Sequence, residues 1–177
     1  MFSYLIHALH HRWSGESAAR RAVPPALAER LAHQVAASEA RHAGEIRICV
    51  EGGLPASYLW RHVFQRVPMA VLAGQRAAMM FSKLRVWDTE ANNGVLIYVL
   101  LAAHHLEIVA DRGITRHVPP TEWQAMIDRL SQAFAQGQVE QGLTQAVDDV
   151  GAALERHFPL PPGAVKPNQL PDAPVIV

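Results

Sequence analysis

Between Asp88 and Asn93 the chain reads D-T-E-A-N-N, five oxygen-bearing side chains set just ahead of Gly94 and a wholly apolar run. A hard divalent cation takes oxygen ligands from just such residues, and Asp88, Glu90 and Asn92 alternate as the donors of a calcium loop do. The EF-hand pattern then breaks, because its sixth position needs Gly and its twelfth Glu, where this chain has Asn93 and Val99. Two readings follow. Asp88, Glu90 and Asn93 hold a weakly bound divalent cation such as calcium, or Asn92, Asn93 and Gly94 simply turn the chain through left-handed backbone.

Other reactive side chains are scattered. His7, His10 and His11 recur at helical spacing that suits zinc or nickel, without a carboxylate or cysteine partner beside them. His104, His105 and His117 flank a predicted hairpin, where a turn role competes with proton transfer. Cys49 alternates with apolar residues and has no adjacent histidine, so it reads as a small buried hydrophobe rather than a nucleophile. Trp87 beside Asp88 is placed to line a groove, while Trp60 and Trp123 read as core or edge packing. The chain has no nucleophile elbow, phosphate-binding P-loop, dinucleotide glycine fingerprint or H-E-x-x-H.

The elements that would carry these residues follow from hydrophobic periodicity. EIRICV alternates, with Ile46, Ile48 and Val50 on one face, whereas GVLIYVLLA is apolar throughout, the mark of a strand covered on both sides. HLEIVA alternates again, with Leu106, Ile108 and Ala110 together, so an antiparallel hairpin turning at Ala103 and His104 is expected. Leu27, Leu31 and Val35 give a helix entered at Pro24 and Pro25. Residues 56–84 give two helices or one kinked at Pro68, with Leu59, Val63, Phe64 and Val67 on the inward stripe. Trp123, Met126, Ile127, Leu130 and Phe134 mark another helix, and Leu143, Val147, Val150, Leu154 and Phe158 a last one after Gly137. The order predicts a three-layer αβα sandwich around a small mixed β-sheet, an α/β fold. Its expected limits are a helical leader over residues 1–22, one domain over 23–158 and a proline-rich tail over 159–177, an extended or mobile segment rather than a domain.

Bulk composition narrows the function. With 177 residues, half of them apolar, the chain is long enough for one well-buried domain. Sixteen acids balance sixteen bases, which argues against a nucleic-acid binder and against a polybasic membrane surface. One cysteine permits no internal disulfide. The longest apolar run is about half the roughly 20 residues a spanning helix needs, so no transmembrane segment is expected. The first residues lack the basic start and cleavage site of a signal peptide, and a cytoplasmic location is the default.

The segment NNGVLIYVLLAAHHLEIVADRGI resembles the TPM-domain family, whose pattern is an Asp-Asn-Gly turn, an apolar strand, a second hairpin strand and a glycine at the exit. Phe134, Gly137, Gly142 and Leu143 are similar to the family's closing helices, and the likeness spans about residues 24–158. It implies an αβα sandwich; some members are acid phosphatases or calcium binders. Asn93, Gly94 and Gly113 match the pattern, Asn92 stands where the family has an acid, and the Asp that commonly follows the exit glycine is absent. The turn WDTEANNG is similar to shorter members without signal peptide or anchor. These readings lead to a binding or assembly module with a degenerate metal site. Its binding loops are Trp87, Asp88, Glu90, Asn92, Asn93, Gly94, Arg112 and Gly113, and its partner an unidentified protein. The alternative is a metal-dependent phosphatase-like hydrolase, with Asp88, Glu90 or Asp111 on the metal and Arg85 or Arg112 on the phosphate.

Overall fold

Two registers of side chains leave the central strands in opposite directions, and each is sealed by its own layer of helices. In the computed structural model, which describes residues 15–161, 163–164 and 166–177, the central strands are β1 (Glu45–Glu51) and β2 (Gly94–Leu100), paired in parallel from Glu45↔Gly94 to Glu51↔Leu100. β3 (His105–Ala110) returns antiparallel to β2, from Leu100↔His105 to Val95↔Ala110. A short β4 (Val175–Ile176) pairs in parallel with β1, so the mixed sheet runs β3-β2-β1-β4.

Ile46, Ile48 and Val50 of β1 and Val95, Ile97 and Val99 of β2 face one core. Its cover is α1 (Gly15–Ala22), α2 (Pro25–Glu39), and, after a short α5 (Arg112–Thr115), α6 (Pro120–Ala135) and α7 (Val139–His157). Cys49, Leu96, Tyr98 and Leu100 face a second core under α3 (Ala56–Gln65) and α4 (Met69–Lys83). Three αβα layers result, as the element order predicts. The sequence marks β1 as a strand with one buried face, and here the structure differs: all seven of its residues are buried, Glu45, Arg47 and Glu51 included.

Pro68 does divide the helical stretch. α3 ends at Gln65, Arg66 takes a left-handed φ of 55°, and Pro68 caps α4, where its missing N–H costs nothing. That break rotates α3 so that Leu59 and His62 point inward, while Phe64, expected on the core stripe, is 69% exposed. The hairpin turn is also longer than Ala103 and His104 alone. Residues Leu101–Ala103 form a 3₁₀ turn, closed by His104 at a left-handed φ of 47°.

The proline-rich tail is docked. Gly52 N donates to Val177 O at 2.7 Å and Val177 N to Val50 O at 3.0 Å, which adds β4 to the open edge of β1. Lys166 Nζ lies 2.9 Å from Glu45 Oε1 and 3.4 Å from Glu39 Oε2, and the Leu170 amide donates to Glu45 Oε2 at 3.1 Å. A strand carboxylate and a helix carboxylate, both buried, thus find their partners in the last residues of the chain. The predicted leader falls partly within the described residues: 15–22 are helical, and His7, His10 and His11 lie outside them.

Candidate functional site

The turn into β2 is built by close backbone approach. A Cβ at Gly94 would stand 1.9 Å from the Val86 carbonyl oxygen, so no other residue fits without moving the backbone. A Cβ at Gly113 would stand 2.3 Å from Ala91 O and 2.4 Å from Asn92 O. With no side chain in the way, Gly113 N donates to Asn92 O at 2.7 Å, and Asp111 N donates to Gly94 O at 2.9 Å. Asn92 holds a left-handed φ of 51°, which asparagine tolerates. Segments 87–94 and 112–120, which carry the binding residues read from sequence, are therefore joined through their backbones into one surface.

The acidic residues of that surface divide into exposed and buried. Asp88 is exposed and pairs with Arg85, three residues back. Glu90 is exposed, and its amide donates to Gln169 Oε1 of the tail at 3.1 Å. Trp87 is 50% exposed, and Asn92 and Arg112 are exposed beside it. Thr89 is buried and accepts the Asn93 amide at 3.0 Å on Oγ1, which ties the turn internally.

Asn93 is fully buried, yet neither its Oδ1 nor its Nδ2 has a protein partner. Asp111, buried at the other strand's exit, accepts Arg112 N on Oδ1 at 2.6 Å and caps α5, while its Oδ2 is unpartnered. Buried polar atoms without partners cost about 1–3 kcal/mol each, so two such side chains at neighbouring strand ends mark a place where a ligand or water is expected. The donor set fits a hard cation weakly. It offers one carboxylate and one amide oxygen, and the Asn92 and Gly94 carbonyls nearby already accept backbone hydrogen bonds. Among the described residues, no three His, Cys, Asp or Glu side chains gather as a ready-made metal cage.

Other candidates resolve into packing. His105 Nε2 lies 2.8 Å from Glu107 Oε2, and His117 stacks on His157 at 5.2 Å. Cys49 is buried and its thiol is pushed up to about 12 by burial, with the Glu51 carboxylate adding to the shift. A network invisible in the sequence lies beside it. Arg76 grips Glu51 with two nitrogens, Nε to Oε2 at 2.8 Å and Nη2 to Oε1 at 2.5 Å, and Tyr98 donates its hydroxyl to Glu51 Oε2 at 2.7 Å. Burial, then that carboxylate, raises the Tyr98 phenol far above its ordinary range. The strand alternation could have flagged Glu51, but nothing in the sequence pairs it with Arg76.

Strand direction also matters. Residues 87–94 lead into β2 and so sit at the amino end of the parallel pair, whereas open α/β sheets usually place ligands at the carboxyl ends. There a cleft of about 470 Å³ is lined by Leu100, His104, His105, Leu106, Phe134 and Val139.

Comparison with known proteins accords with this architecture. The family described as TPM domain matches residues 22–153. The NMR structure of the BA42 protein from the psychrophilic bacterium Bizionia argentinensis superposes with a TM-score of 0.70 at 24% identity, covering 86% of this chain and 94% of that one. That likeness establishes the fold alone. No curated protein sequence matches the chain significantly.

Proposed function

We propose that this chain, which belongs to the TPM-domain family, is a binding or assembly module that presents loops 87–94 and 112–120 to a protein partner over a weak cation site. The observation that carries this reading is the fusion of the two loops through Gly113 N and Asn92 O, at the sheet end where Asn93 and Asp111 keep unpartnered buried atoms. A surface fixed by backbone bonds loses little entropy on binding, and a half-exposed Trp87 at its rim is the residue type that anchors protein interfaces.

Asn93 Oδ1 and Asp111 Oδ2 would hold the cation, which would neutralise a buried carboxylate and stiffen the turn. Because a single charge is offered, the affinity for calcium belongs at the weak end, about 10⁻⁴–10⁻³ M. Asp88, already paired with Arg85, and Glu90 are exposed on the same turn, and Glu90 presents its carboxylate to a partner's cationic side chains.

Calorimetry on chelator-stripped protein tests this. Calcium should bind weakly, Asn92→Asp should tighten it by about tenfold through a second carboxylate, and Asp111→Asn should abolish the heat. Aryl phosphate should not turn over under any metal. Metal-dependent turnover lost in Asp111→Asn would replace the module reading with a hydrolase, and an unchanged heat in Asp111→Asn would remove the site from these residues.

A further inference from the structure

The α3–α4 layer combines two features that the net charge conceals. From residue 52 to residue 87 the chain has no acid and five bases, Arg61, Arg66, Arg76, Lys83 and Arg85. Residues 120–157, which form α6 and α7, carry six acids against two bases. The balanced total therefore conceals a cationic helical stretch on one face of the sheet and an anionic α6–α7 pair on the other.

The cationic layer also exposes its large apolar side chains. Trp60 and Phe64, one turn apart on the outer face of α3, are 54% and 69% exposed, with ring centroids 5.5 Å apart. Val71, in the first turn of α4, is 47% exposed. Three acids, Glu51, Asp88 and Glu107, already have partners, and these take up Arg76 and Arg85. Glu51 is held by Arg76 and Tyr98, Glu107 of β3 by His105, and Asp88 by Arg85. Arg61 and Arg66 keep their charge for something outside: among the described residues the Arg61 side chain meets only the Gln75 amide oxygen and the Tyr58 ring, and Arg66 is exposed.

We propose that the α3–α4 corner is a peripheral docking surface for an anionic lipid bilayer, with Trp60, Phe64 and Val71 entering the headgroup region and Arg61 and Arg66 meeting lipid phosphates. Charge complementarity names the occupant's sign. The shape names its kind: an aromatic pair projecting from a helix, flanked along the chain by Arg61 and Arg66, matches the amphipathic surfaces that lie in a bilayer interface, where Trp favours the headgroup level. A folded acidic protein would need a groove to receive these rings. A deformable bilayer accepts them.

Sedimentation of the full chain with vesicles tests the assignment. Phosphatidylcholine vesicles containing phosphatidylglycerol should carry the protein down at low salt, pure phosphatidylcholine should not, and added salt should release it. Trp60→Ser with Phe64→Ser should weaken partitioning at least about tenfold, since the inserted area is lost. Gln at Arg61 and Arg66 should weaken it about fivefold per charge removed. Trp60→Phe should bind nearly normally but lose most of the vesicle-induced blue shift of tryptophan emission. All these positions are surface positions, and circular dichroism checks that each variant folds. Absence of sedimentation with anionic vesicles at low salt overturns the proposal. So does binding that survives loss of Trp60 and Phe64, or a patch that proves instead to hold two copies of the chain together in solution.

Discussion

Replacing Gly94 by alanine adds one methyl group, and the fold decides what that group meets. It would stand 1.9 Å from the Val86 carbonyl oxygen and 3.0 Å from Val86 C and Cγ1, far inside van der Waals contact. The first obstacle is backbone on a buried residue, so rotamer changes cannot relieve it. Either the 85–88 turn or the start of β2 must retreat. Retreat of β2 strains the Glu45↔Gly94 pairing and the Asp111 N to Gly94 O bond. Overpacking costs about 1–3 kcal/mol and a lost hydrogen bond adds about 1 kcal/mol, so the variant should lose roughly 2–4 kcal/mol. For a chain of this size that lowers Tm by about 4–16 °C. Gly15→Ala, which meets nothing within 4 Å, is the matched control and should stay within about 1 °C. Calorimetric or circular-dichroism melting of both proteins measures the difference. Because Asn93 is the preceding residue, calcium heat should fall in Gly94→Ala along with Tm. Gly94→Ala melting with the wild type would refute the close-approach account of this turn.

The buried Glu51–Arg76 pair gives a second expectation: Arg76→Met should cost about 3–5 kcal/mol in chemical denaturation, because an ionised carboxylate is left in the core. Tyr98→Phe should cost only about 1–2 kcal/mol, since Arg76 continues to satisfy Glu51. Two buried groups should also titrate in opposition. Glu39 is pushed up to about 7 by burial, with like charge on Glu45 adding to it, so it stabilises the fold in acid and loses that contribution as pH rises from about 4.5 through 7. His42 is pushed down to about 4 by burial and by Lys166, so it favours the fold above about 6.5 and loses that contribution as pH falls through 4. The wild type should therefore show a shallow Tm profile between pH 4.5 and 6.5, Glu39→Gln a Tm that drops in acid, and His42→Gln one that rises there; parallel profiles in all three would sink this assignment.

Local pattern carries most of the architecture. The uninterrupted apolar run of β2 predicts burial on both sides, and all seven of its residues are buried. Pro24, Pro68 and Pro119 mark helix starts because an N–H missing there is one the helix would not use. The parallel and antiparallel pairings follow from the lengths of the connections. Gly94 and Gly113 were legible as turn residues, but the carbonyls that forbid a side chain at each lie elsewhere in the chain, on residues 86 and 91–92.

What the sequence by itself determined about this protein is thus the three main strands and the long helices, their layering and the family to which it belongs, because periodicity, proline and glycine act over a few neighbouring residues, whereas the tail strand β4 and the short α5 left no such pattern. Tertiary structure alone decided the partners of buried charge. Glu45 and Glu51 occupy the solvent-side positions of an alternating strand, yet they are enclosed by Lys166 from the tail and Arg76 from α4, about 120 and 25 residues away along the chain. It likewise decided that Asn93 and Asp111 share the end of a hairpin with atoms to spare, and that Phe64 faces water instead of the core. A side chain's type states what it needs, and which distant group answers that need is fixed only when packing brings the two together.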